Sequence, residues 1–296
     1  MPAANEKYQI GGQAVIEGVM MRSKHFWAVA VRRPDKTIST ILFNDGPLTS
    51  KHKMLGFIFI RGIVTLFESM ALGFKALSYS VNESTGVEIK FSRRQMVISI
   101  IIAVAFAVGV FFILPTIIGR TFSEFLPNAI VYNLLEGLIR IGFFLIYILS
   151  VSQLKDIKRV FQYHGAEHKT IQAYENNEEM KPENVRKYST VHVRCGTSFL
   201  LIVMVVAVFV FALLGRQPII WRIISRILLI PVIAGISYEL IRLAGKYSKY
   251  RIVNIIFYPG LLLQKITTRE PDNGQIEVAI SSFKRVMEAE KALEAG

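Results

Sequence analysis

Two imidazoles stand four residues apart in Tyr163-His164-Gly165-Ala166-Glu167-His168-Lys169, with a carboxylate next to the second. On a helix, His164 and His168 lie one above the other on a single face, as a divalent metal requires. The order H-x-x-E-H is that of the inverted zinc-protease pattern, whose glutamate serves as base toward water. Glu167 is therefore the candidate catalytic residue. A second pair of ligand types occurs in His192-Val193-Arg194-Cys195. His164, His168, His192 and Cys195 together offer nitrogen and sulfur donors that suit Zn²⁺ by softness and number. Glu175, seven residues after His168 on the same helical face, is a competing ligand. Binding by all four His/Cys groups would close the site and make it structural. Binding by three would leave one position for water, with Glu167 as general base. The plainer alternative is polar decoration of a helix, with His192 at a helix boundary and Cys195 as a small packed residue beside Gly196.

The chain that must position these residues is strongly apolar. Of its 296 residues, 52% are hydrophobic and the mean hydropathy is +0.41, rare for a soluble globule of this size. Met96–Ile118 is uncharged and long enough to cross a bilayer. Leu134–Leu154, Phe199–Leu214 and Ile219–Leu243 are three further candidate spans. The expected fold is therefore an α-helical integral membrane protein with about four transmembrane helices. No short cationic and apolar leader opens the sequence. The net charge of +13 sits at span ends, which argues against nucleic acid as a partner. Arg93, Arg94, Lys155, Lys158, Arg159, Lys246, Lys249 and Arg251 flank one side, whereas 119–133 and 215–218 hold only Arg120 and Arg216. That asymmetry predicts both termini in the cytoplasm, with the bilayer as partner. The single cysteine, Cys195, excludes an intramolecular disulfide.

Outside the spans, Trp27–Arg33 and Thr37–Phe43 around Pro34-Asp35 predict a β-hairpin. Gln275–Ile280 resembles another short strand, and Ser281–Leu293 an amphipathic helix capped by Ser281 or Ser282. The two ends of the chain are expected to form one small cytoplasmic α/β body. The organisation expected is a β-rich segment 1–53, an interfacial helix and basic linker 54–95, and a transmembrane hairpin 96–154. Next come a His/Cys linker 155–198, a second hairpin 199–243 and a terminal segment 244–296. The apolar stretches 54–80 and 252–266 read as interfacial or re-entrant helices. Within the spans, Glu136 with Arg140 and Glu239 with Arg242 are spaced for intrahelical pairs. A polar site between helices and simple pairing near helix ends both remain open for Glu136 and Glu239. Arg222 and Arg226 read as residues that snorkel at a helix end.

Gly11-Gly12-Gln13-Ala14-Val15-Ile16-Glu17-Gly18-Val19-Met20-Met21-Arg22 is the other unusual string. Its glycines bound a short strand from which Gln13, Glu17 and Arg22 could face a ligand, or which is simply an edge strand. No G-K-[ST] closes it as a phosphate loop. The segments 11–22, 163–175 and 194–200, the last reading RCGTSFL, resemble the YqhQ-like membrane proteins of bacteria. The resemblance implies a bacterial cytoplasmic membrane protein of a family of unknown function, labelled a metal-dependent enzyme. That family usually has proline where this chain has Val193, which leaves the ligand types intact. Three readings result: a metal-dependent hydrolase acting on a lipid or membrane-proximal peptide, a non-catalytic scaffold or regulator of other membrane proteins, and a transporter component that assembles as an oligomer.

Overall fold

Apolar side chains run unbroken through Val19–Met21 and Phe26–Val31, and a strand shows successive residues to opposite faces. In a computed structural model, which describes residues 8–44, 57, 60–87, 92–126, 128–192, 195–215, 217–247 and 250–295, these runs build a sheet covered on both sides. Strands β1 (Gly11–Val15), β2 (Gly18–Arg22), β3 (Trp27–Arg32) and β4 (Ile38–Phe43) form an antiparallel meander in chain order. The predicted hairpin is β3–β4, with Trp27 opposite Phe43 and their rings stacked at 3.9 Å. Val19, Met21, Ala28 and Ala30 point to one face; Met20, Trp27, Val29 and Val31 point to the other.

The first face is covered by α5 (Lys155–Glu175) and α11 (Asn273–Ala295), the second by α1 (Ile60–Thr85) through Leu72 and Ala76. The strand expected at Gln275–Ile280 is instead the start of α11. Asp272 Oδ1 accepts from Gln275 N at 2.8 Å while Gln275 Oε1 accepts from Asp272 N at 2.9 Å, a reciprocal cap that starts a helix eight residues before Ser281. Ile276, Ala279, Ile280, Phe283 and Val286 then recur at helical spacing and are buried against the sheet. Ser282 is not a cap: its Oγ accepts from Met21 N at 3.1 Å and donates to Ala28 O at 3.0 Å, stitching helix to strands.

The remaining helices are α2 (Arg93–Val108), a π-helical turn Gly109–Ile113, α3 (Leu114–Thr121), α4 (Ala129–Val151), α6 (Pro182–Val185), α7 (Gly196–Ala212), α8 (Ile219–Leu228), α9 (Ile230–Lys246) and α10 (Arg251–Thr267). Among the described residues, Val97–Thr121 and Ala129–Val151 are each long and apolar enough to cross a membrane. The pair α8–α9 is a third if its 44° bend lies within one span, and α7 is apolar but shorter. The second apolar helix begins five residues before Leu134 because Asn128 caps it, its side chain accepting from Val131 N. Helix α1, with Arg61, Glu68 and Lys75, packs on both the sheet and α9. Within the predicted spans, linkers and interfacial stretches, residues 54–56, 58, 59, 88–91, 127, 193, 194, 216, 248 and 249 lie outside the described residues, as do the side chains of Arg93, Met96 and Lys246.

Candidate metal centre

Helix α5 is polar in composition, yet its stretch from Gly165 to Ile171 is continuously buried, including Glu167, His168, Lys169 and Thr170. Such burial of ionisable groups has to be supported by partners. Lys169 Nζ donates to Arg186 O at 3.0 Å and Tyr188 O at 2.6 Å, and Gln172 Nε2 donates to Ser189 O at 2.7 Å. Segment 186–191 is thereby drawn onto α5, which presents Thr190 O to His168 Nδ1 at 2.6 Å. One turn earlier, His164 Nδ1 meets Thr267 O, at the end of α10, at 2.8 Å. Each carbonyl selects the Nδ1–H tautomer and leaves Nε2 as the acceptor nitrogen.

His164 Nε2 lies 3.2 Å from Cys195 Sγ, and the two imidazoles are 4.3 Å apart between centroids. Ligand atoms of His164, His168 and Cys195 all fall within 4.8 Å of one another. Cys195 caps α7, its Sγ accepting from Thr197 N at 3.4 Å. Burial pushes its thiol up, while the Thr197 hydroxyl and amide act in the opposite direction. Burial, reinforced by the neighbouring His164, holds His168 well below the ordinary histidine range and therefore neutral.

Glu167 packs against Gly12 on the edge strand β1, where a Cβ would lie 2.9 Å from its Cδ. It is 5% exposed, and burial raises its carboxyl to about 8, against an opposing pull from His164. Its Oε2 is buried without a hydrogen-bond partner. A divalent cation would fit this donor set of two imidazoles, each oriented by a carbonyl acceptor, and a thiol.

His192 and Glu175 stand outside this group. Their side chains meet each other, Nε2 to Oε2 at 3.1 Å, and burial lowers the His192 imidazole to about 4. Gln264, buried within α10, clamps that segment: its Oε1 accepts from His192 N and its Nε2 donates to His192 O, both at 2.8 Å. Neither Gln264 nor the carbonyls of Thr190 and Thr267 stand out in the sequence. A lone glutamine within an apolar helix is the signal for the first; backbone carbonyls leave none.

The glycine-bounded strand meets the histidine helix. Glu17, in the left-handed region at φ 51°, pairs with Arg159 and accepts from Tyr163 Oη at 3.2 Å. Arg22 instead reaches Glu68 on α1 at 2.6 Å, and the Gln13 amide lies against Gly73. The charged residues of the apolar helices group differently from their sequence spacing. Glu136 and Arg140 do pair, at 2.9 Å. Glu239 pairs with Arg61 rather than with Arg242, because α1 crosses α9 with Gly62 against Gly235 and Tyr238. Arg222 and Arg226 do not snorkel: both are buried, and Arg226 Nε donates to Glu136 Oε1 at 3.1 Å.

Residues 57–289 match the family described as "Protein of unknown function (DUF1385)". The chain belongs to that family. It is also 37% identical, over 95% of its own length and 92% of the relative's, to "Uncharacterized protein YqhQ" of Bacillus subtilis (strain 168). No solved structure matches. The membership is that of the YqhQ-like proteins, with no activity attached.

Proposed function

We propose that this DUF1385 protein is a multi-pass protein of the bacterial cytoplasmic membrane with a divalent-metal centre, of zinc type, at the cytoplasmic face, and that it is a metal-dependent hydrolase. The observation that carries the metal is the orientation of the imidazoles. Both Nδ1 atoms are committed to backbone carbonyls, so both Nε2 atoms are available beside Cys195 Sγ. His164, His168 and Cys195 would hold the ion, which would supply Lewis acidity toward a carbonyl or phosphoryl oxygen. Glu167 is the proton carrier: burial keeps a proton on it near neutral pH, and its unpartnered Oε2 is the atom from which that proton moves. The substrate class is a lipid headgroup or a membrane-proximal peptide, by the position of the site between the sheet and the apolar helices.

The topology proposed is four spans, α2–α3, α4, α7 and α8–α9, with both termini cytoplasmic and α1 and α10 lying in the interface. The basic residues at the span ends support it. A second reading, a structural clip in a scaffold that binds another membrane protein or its own copy, is favoured by the burial of Cys195 and His168. Elemental analysis of purified protein tests the metal: one zinc-class ion per chain is expected, and none in His164→Ala/His168→Ala. Equal metal content in both would end the proposal. Full complementation by Glu167→Gln would shift it to the structural clip, since an amide carries no transferable proton.

A further inference from the structure

At the end of the helix bundle away from the histidine helix lies a second polar cluster, and it is unbalanced in charge. Glu136 and Arg140 on α4 and Arg222 and Arg226 on α8 are all at most 7% exposed. Arg140 and Arg226 share the Glu136 carboxylate and Arg222 lies one helical turn before Arg226, a surplus of two positive charges among these described residues. Arginine does not deprotonate in proteins, so the surplus persists.

The carboxylate is already fully used. Glu136 Oε1 accepts from Arg140 Nη2 at 2.9 Å, Thr116 Oγ1 at 3.0 Å and Arg226 Nε at 3.1 Å, and Oε2 accepts from Arg226 Nη2 at 3.3 Å. Arg226 also reaches Asn133 Oδ1 at 2.9 Å, and Arg140 Nε takes Phe111 O, in the π-helical turn, at 2.8 Å. Aromatic faces support the cations without neutralising them: Arg222 lies 4.3 Å over Tyr132 and Arg226 4.2 Å over Phe211. Arg140 Nη1 and Arg222 Nε are buried with no partner. An unpaired buried charge is strongly destabilising, so a native cluster with two such donors calls for a counter-anion.

We propose that Arg140, Arg222 and Arg226 bind a phosphate-bearing anion. Planar guanidinium forks match phosphate oxygens, and a tetrahedral group offers acceptors in several directions at once. Arg222 lies in the first turn of α8, and Arg140 eleven residues into α4, about 17 Å along it at 1.5 Å per residue. The cluster thus runs inward from the helix ends, where lipid phosphates lie if α4 and α8 span the bilayer. The lipid source alone rests on that membrane reading; free phosphate would use the same donors.

Thermal unfolding of the full-length protein in a neutral maltoside detergent separates the cases. Phosphatidylglycerol is expected to raise the unfolding midpoint where phosphatidylcholine does not. Arg222→Gln is expected to require about tenfold more phosphatidylglycerol for the same shift, the effect on affinity of one lost charge-assisted contact near 1.4 kcal/mol. A shift with inorganic phosphate beyond that with chloride at equal ionic strength would identify the free anion as ligand, whether or not the helices span. The proposal is overturned if wild type answers alike to both lipids and to both salts, or if Arg222→Gln keeps the full response. Retention instead of a partner protein that supplies a carboxylate also overturns it. Should Arg222→Gln not fold, Arg222→Lys, which keeps the charge and loses the fork, and the selectivity of wild type decide.

Discussion

Glycine positions around the histidines show how single residues set the site. A Cβ on Gly165 would lie 2.1 Å from Arg269 O, in the link between α10 and α11. That link is tied to α5 where Arg269 N donates to Phe161 O at 2.9 Å. Backbone contact this close cannot be relieved by rotating a side chain. Gly165→Ala should therefore cost upwards of the roughly 1–3 kcal/mol typical of overpacking and displace Thr267 O from His164. Gly12→Ala would meet the Glu167 side chain and Met20 O, and should cost about as much through strand β1. Thermal unfolding midpoints check both, and an unchanged midpoint for Gly165→Ala would contradict the close approach. The histidine spacing is legible in the sequence because i and i+4 are neighbours on any helix. The Gly165 requirement is not, because its neighbour Arg269 comes from a distant part of the chain.

Helix α11 is held to the sheet by a buried acid. Glu290 Oε1 accepts from Ser23 Oγ at 2.6 Å and His25 N at 3.0 Å, and Oε2 lies 2.9 Å from His25 Nδ1. Burial by itself would raise this carboxyl, but the donors of His25 and Ser23 outweigh it and hold it below its ordinary 4.5. A carboxyl with a lowered folded value binds its proton less readily folded than unfolded. Its contribution is present above about pH 4.5 and is lost as pH falls through the folded value. Glu290→Gln should lose about 1.5–3 kcal/mol at neutral pH, and its stability should fall less steeply in acid than that of wild type. Parallel acid limbs in urea titrations at several pH values would contradict this. The same helix shows why a strand is expected over 275–280. Gln-Ile-Glu-Val-Ala-Ile alternates like a strand over six residues, and only the cap at Asp272 and the 23-residue length reveal the helix.

The molecule as a whole is a sheet-and-helix body joined to apolar helices by α1, which contacts both, and at α5, where His164 meets Thr267 O at the end of α10. Two polar clusters lie toward opposite ends of α4: the His/Cys group beyond its last turn and the arginine cluster in its first half. The proposed four-span topology puts these on opposite sides of the bilayer. Alkaline phosphatase fused after Arg216 should be active and green fluorescent protein fused after residue 296 should fluoresce. The opposite pair of results would invert the topology and move the metal centre to the outside.

Sequence alone determined the features that local period and composition dictate. The apolar helices, the β3–β4 hairpin, the Glu136–Arg140 pair and the edge-to-face contact of His164 with His168 all arise between residues near in the chain. Tertiary structure decided partners far apart in sequence. Arg226 reaches Glu136 across 90 residues and Arg61 takes Glu239 across 178, displacing the local partner Arg242. It also selected Cys195 over His192 to stand beside His164, because Gln264 and Glu175 occupy His192. Spacing reveals which side chains share a face, but packing alone determines what that face meets. Carbonyls such as Thr190 O and Thr267 O, which orient the imidazoles, are common to every residue and acquire a role only through the fold.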